Sequence, residues 1–204
     1  MRKRIMFNKL SLILMSLVAY LAVGGSAGNL HAGVVEDILS ELRNSQGEDN
    51  PFSVSLAIKG DKNSFKIGEN LSFVIASDRD CFVYLIDEGT TGTVKIIFPN
   101  KWHRSPKISS GDHVNLPKIG SKFSFKVKGD PGVEKVWLVA GSQRIEALED
   151  LIDASASDGR TIAESPFLKM RNPRRVMKSV ADELAGIDPS NWSIAPVEFE
   201  IEGK

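Results

Sequence analysis

One cysteine in 204 residues, Cys81, rules out an internal disulfide, so the fold has to rest on its apolar core. Histidine is nearly as scarce. Only His103 and His113 lie beyond the N-terminal segment, ten residues apart and without the tight helical or ribbon spacing of a metal site. No apolar run reaches the ~20 residues that a spanning helix needs. Beyond residue 32 the chain also lacks a Gly-x-Ser-x-Gly elbow, a Ser-x-x-Lys pair, a phosphate loop and a His-Glu-x-x-His motif. Neither sign of charge prevails over the whole chain, with 26 basic and 26 acidic residues.

That balance is uneven along the chain. Arg2, Lys3, Arg4 and Lys9 precede the apolar run Leu10 to Val23, and the small residues of Gly24 to Ala32 follow. This is the three-part layout of a secretory signal peptide, assigned to residues 1–32, with small-residue cleavage points after Ala27 or Ala32, the second preferred. Removing it leaves 22 basic against 26 acidic residues, which argues against nucleic acid as a partner. Cys81 is too far from the leader to be a lipoprotein thiol. The expected product is periplasmic or secreted, of bacterial type, with no stable membrane anchor after cleavage. Its 172 residues suit one domain with a sizeable core.

Residues 33–50 read as a short helix, with Val35, Ile38, Leu39 and Leu42 at helical spacing, followed by a polar linker. Residues 51–204 read as the domain proper. Phe52, Val54, Leu56 and Ile58 alternate with polar neighbours as in a half-buried strand. Leu71 to Ser77 and Cys81 to Asp87 are denser, and the second is apolar on both faces; together they are expected to form the middle of the sheet. Glu88 to Gly92 turns the chain into Val94 to Phe98, where Pro99 ends pairing. Phe123, Phe125 and Val127 alternate, and Gly129-Asp130-Pro131-Gly132 suggests a hairpin with Glu134 to Ala140.

The remainder divides into a helical insertion at about 145–187 and a terminal strand at 192–202. Asn172 and Pro173 mark one helix start, and Val176, Val180, Ala181 and Leu184 form its stripe. The pattern as a whole predicts a mainly β fold: an Ig-like antiparallel β-sandwich with short helices at the N-terminus and in the C-terminal third, packed on its edge or end.

Phe65-Lys66-Ile67-Gly68-Glu69, the strand Cys81 to Ile86, Gly92 and Val94 with Ile97-Phe98-Pro99-Asn100, and Pro131 to Ala140 occur in an order that resembles the bacterial family called domain of unknown function 4384. The likeness is good over residues 53–140 and loose beyond. It implies a β-rich accessory module with no settled activity, here as a stand-alone exported protein. The blocks also have a physical reading. Gly68 and Glu69 form a turn in which the carboxylate accepts backbone amides, and Phe98-Pro99-Asn100 buries an aromatic while asparagine braces the corner.

No catalytic, cofactor-binding or metal-ligating set is assigned. Cys81 opens an apolar strand and reads as a small core residue. Acidic residues are scattered, or point outward as Glu198, Glu200 and Glu202 do, so no paired-carboxylate centre is supported. One cluster breaks a local rule: Lys169, Arg171, Arg174, Arg175 and Lys178 surround a helix start, where the macrodipole favours acids. With Trp102 and Arg104, an aromatic beside cations in a long loop, they are the candidate contact residues for a protein or anionic envelope component. The expected function is therefore a non-enzymatic, exported binding module of the cell envelope. The alternatives are an accessory part of a secretion or envelope-assembly machine, and a hydrolase or metal-binding protein.

Overall fold

Alternation of apolar and polar residues carries the chain through β1 (Val54–Ile58), β2 (Ser64–Lys66), β3 (Asn70–Leu71), β4 (Phe73–Ser77), β5 (Cys81–Glu88), β6 (Val94–Phe98), β7 (Lys107–Ile108), β8 (His113–Leu116), β9 (Phe125–Lys126) and β10 (Gly132–Gly141). Helix α1 (Val34–Gln46) precedes them, and α2 (Glu146–Ser157), β11 (Leu168–Lys169), α3 (Pro173–Ala185) and β12 (Trp192–Glu202) follow. The computed structural model describes residues 33–47, 50–60, 62–121, 123–157 and 167–203. The leader and both of its cleavage points lie outside the described residues.

The larger sheet runs β11-β6-β5-β10-β12-β2, with β7 alongside the start of β5, and the smaller runs β1-β4-β8. A ribbon of β3 and β9 completes the strands. Pairing is antiparallel except where β2 joins β12 in parallel. The protein is thus a mainly β, two-sheet sandwich, as its pattern predicted. Between the sheets lies a core that includes Phe52, Phe73, Ile75, Val83, Leu85, Leu138 and Phe199. Burying each such side chain favours the fold by roughly 1.5–3 kcal/mol over leaving it exposed.

Three expectations are corrected. The helices do not sit at an edge or end but cover the outer face of the larger sheet. That face carries Tyr84, Ile86, Ile96, Trp137, Val139 and Ile194, too apolar to meet water, and Val35, Leu39, Leu148, Met177, Val180 and Leu184 seal it. Secondly, β4 and β5 lie in different sheets. The link Asp78 to Asp80 carries the chain across the sandwich, and each strand is the centre of its own layer. Thirdly, β9 and β10 form no hairpin. From Lys135 onward β10 is flanked by β5 and β12, so β9 pairs with β3 instead, Leu71 opposite Phe125.

Each helix is fastened by a cap at its N-terminus. Glu88, at the end of β5, accepts from Gly33 N (2.9 Å), Val35 N (3.4 Å) and Glu36 N (3.1 Å) of α1. Glu183 of α3 accepts from Glu146 N (2.8 Å) and Ala147 N (2.9 Å) of α2. Asn172 caps α3 through Arg175 N (3.2 Å), as its sequence position suggested. The Tyr84 hydroxyl donates to Glu149 and accepts from Ile145 N, tying α2 to β5. Among the described residues no helix is long and apolar enough to cross a membrane.

Candidate binding cleft

Strand register places three charged side chains on the inner face of the larger sheet. Asp87 continues the inward series Cys81, Val83 and Leu85, and stands opposite both Lys95 and Val136. Glu134 continues the series Ala140, Leu138 and Val136 toward the start of β10. At this end of the sandwich the segment Phe123 to Lys128 spans the opening instead of a strand of the smaller sheet. Between them lies a cleft of about 530 Å³.

Its walls are aromatic. Phe125 meets Phe73 (centroids 5.7 Å apart), Phe123 (5.5 Å) and Phe167 (5.4 Å, stacked). Lys126 and Lys128 line the rim, and Trp102 stands there 54% exposed with Lys101 Nζ 5.0 Å above its ring. Asn100 holds this aromatic in place: its side chain donates to Ile97 O (2.8 Å) and accepts from Trp102 N and His103 N (3.0 Å each). The Phe98-Pro99-Asn100 corner therefore does brace the chain as read, and it presents Trp102 to the cleft. The Gly68-Glu69 turn also forms as read, with Gly68 at φ 93 and Glu69 accepting from Lys66 N (2.9 Å).

The cleft floor is a proton-sharing pair. Asp87 and Glu134 are 5% and 8% exposed, and Lys95 Nζ lies 3.2 Å from Asp87 Oδ2. With both carboxyls ionised, Asp87 Oδ1 is buried without a donor. Protonating Glu134 supplies one. Burial, then the hydrogen bond and charge of Asp87, push the Glu134 carboxyl up to about 9, against the smaller opposing pull of the Lys95 charge. At neutral pH the floor is therefore a neutral acid, a carboxylate and an ammonium, with no net charge. Carboxyls in hydrogen-bonding contact are closer than the ~5 Å that paired carboxylates of retaining glycosidases keep.

The sequence pattern assigns no paired-carboxylate catalytic centre and does not identify the Asp87–Glu134 contact. The available signal was an acidic residue on the inward register of an apolar strand, but both strand ends had to be brought together to reveal a pair. Glu198 and Glu200 do point outward. Of the candidate contact residues, Trp102 lines the cleft and Lys169 pairs in register with Lys95, so it adjoins the floor at the sheet edge. Arg104 lies exposed in the loop that holds Trp102. Arg171, Arg174, Arg175 and Lys178 are exposed and belong to or adjoin α3, on the helical layer behind the sheet. Lys178 pairs with Asp182 at 2.6 Å.

Cys81 is buried, its Sγ 3.4 Å from Ser77 Oγ, and burial pushes its thiol up. His103 packs edge-on to Phe98 (4.8 Å), and burial holds its imidazole below the usual range, whereas His113 is exposed on β8. Among the described residues no three His, Cys, Asp or Glu side chains converge as metal ligands.

These features define a β-sandwich module with a helical layer on one face of its larger sheet and an aromatic cleft at one end. Residues 64–144 match the family model described as Domain of unknown function (DUF4384), and this segment, from β2 to just past β10, is a domain of that family. It contains Asp87, Lys95, Trp102, Phe125 and Glu134; α1, α2, α3 and β12 lie outside it. No curated protein and no solved structure matches the chain significantly.

Proposed function

We propose that the chain is an exported, non-enzymatic binding module of the cell envelope, and that the cleft is where it holds its partner. The carrying observation is the aromatic cleft with a charge-neutral floor, a lysine rim and an exposed tryptophan. A neutral floor repels neither sign, whereas Lys126, Lys128 and the adjoining Lys169 give the mouth positive potential. Its complement is an acidic segment of a partner protein that carries an apolar anchor. Export rests on the basic, apolar and small-residue layout of residues 1–32.

A second contact surface is favoured by Arg174 and Arg175 in the first turn of α3, which has no acidic residue to complement its dipole. Photo-crosslinking in the producing cell separates the two. A crosslinker at position 102 should capture a discrete partner, lost on changing Lys126 and Lys128 to Glu. Capture from position 174 alone would move the contact to α3, and capture from neither would defeat the binding proposal.

A further inference from the structure

The Glu88 carboxylate is 7% exposed, and among the described residues its oxygens meet only the backbone N–H groups of Gly33, Val35 and Glu36. A carboxylate this buried is ordinarily paired with a cation. Lys135 stands opposite it in the β5–β10 register, but its ammonium is engaged by Glu36 (2.6 Å) and Glu198 (2.6 Å). Glu36 adds a like charge nearby. The closest of its three donors is Gly33 N, at 2.9 Å, and Gly33 is the residue that cleavage after Ala32 would make the first of the chain.

We propose that removal of the leader after Ala32 turns the Gly33 amide into an α-ammonium that pairs with Glu88, completing this buried site and locking α1 onto the larger sheet. The inference rests on the export reading above and adds a destination for the new terminus. Hydrolysis of the Ala32–Gly33 peptide by water leaves a carboxylate on Ala32 and a protonated amine on Gly33. An ammonium at a helix start is unfavourable with the macrodipole alone; the Glu88 charge beside it reverses the sign. Cleavage after Ala27 would place the amine at Gly28, five residues upstream, and leave Gly33 N an amide. The processed chain thereby gains an ion pair that the precursor lacks, so folding is favoured once the leader is gone.

The exported protein provides the test. N-terminal sequencing should read Gly-Val-Val-Glu. A start at Gly28 overturns the proposal while leaving export intact, and an intact Met1 defeats the export reading together with it. In the processed protein the α-amine should titrate at least one unit above the ordinary ~7.7–8.0, and Glu88→Gln should return it to that range. Acetylating the amine of the wild-type protein should lower the thermal midpoint by about 2–4 °C, a reading that serves even if the variant does not fold. A Gly33 start with an ordinary amine pKa, or a midpoint indifferent to acetylation, overturns the contact alone.

Discussion

The two faces of the larger sheet treat their acidic residues in opposite ways. On the helical side, Glu88, Glu183 and Glu149 are each committed: the first two accept backbone amides of helix starts, and the third takes the Tyr84 hydroxyl and the Arg144 guanidinium. That face is closed by three helices. On the sandwich side, Asp87 and Glu134 have no helix to cap, and they satisfy one another only by sharing a proton beside Lys95. The comparison teaches that a buried acid serves the fold where donors are fixed by backbone. Where the donor is a titratable proton, the acid faces the cleft proposed to hold a partner.

The comparison can be broken first by apolar truncation. Leu39→Ala removes the fully buried anchor of α1 and is expected to destabilise the protein by about 2–5 kcal/mol in denaturant unfolding. Trp102→Ala, at the open end, should stay within about 0.5 kcal/mol while abolishing partner capture. Equal effects would mean that the cleft rim is structural.

The next largest effect is one of pH. The folded chain keeps the Glu134 proton up to about 9, whereas the unfolded chain releases it near 4.5. Its stabilising contribution is therefore complete below the lower value and is lost as pH rises toward the upper one. Relative to Glu134→Gln, the wild type should lose on the order of 1–3 kcal/mol between pH 6 and 9. Parallel stability curves for the two proteins would show that the pair does not share a proton.

On the helical side, Glu183→Ala strips two amides of α2 of their acceptor and should cost about 1 kcal/mol in denaturant unfolding. The smallest effect concerns α3. Changing Arg174 and Arg175 to Glu should raise the midpoint by no more than about 1–2 °C, since acids suit a helix start. A fall in stability would mean that these arginines hold the fold.

Much of this architecture was legible in the chain. The cap Asn172 and Pro173 gave the start of α3, the double-sided apolar run of Cys81 to Ile86 marked a central strand, and the Phe98-Pro99-Asn100 corner was readable from what each residue does in a turn. These are local properties, decided within a few residues. The hairpin assigned to Gly129-Asp130-Pro131-Gly132 failed because turn residues do not decide which edge of a strand is already occupied. The acid pair escaped notice for a related reason: Asp87 and Glu134 are far apart in sequence, and each taken alone is an acidic residue at a strand end.

What the amino-acid sequence by itself determined was the mainly β class, the Asn172 cap of α3, the alternating faces of β1 and β12 and the N-terminal layout that predicts export. Period, turn chemistry and composition act over short stretches and need no partner to be read. Only the tertiary structure decided that β4 and β5 occupy different sheets, that the helices cover a face, and that Asp87, Lys95, Glu134 and Trp102 meet around one cleft. Those outcomes depend on which apolar faces find one another, and burial is settled between elements, not within them.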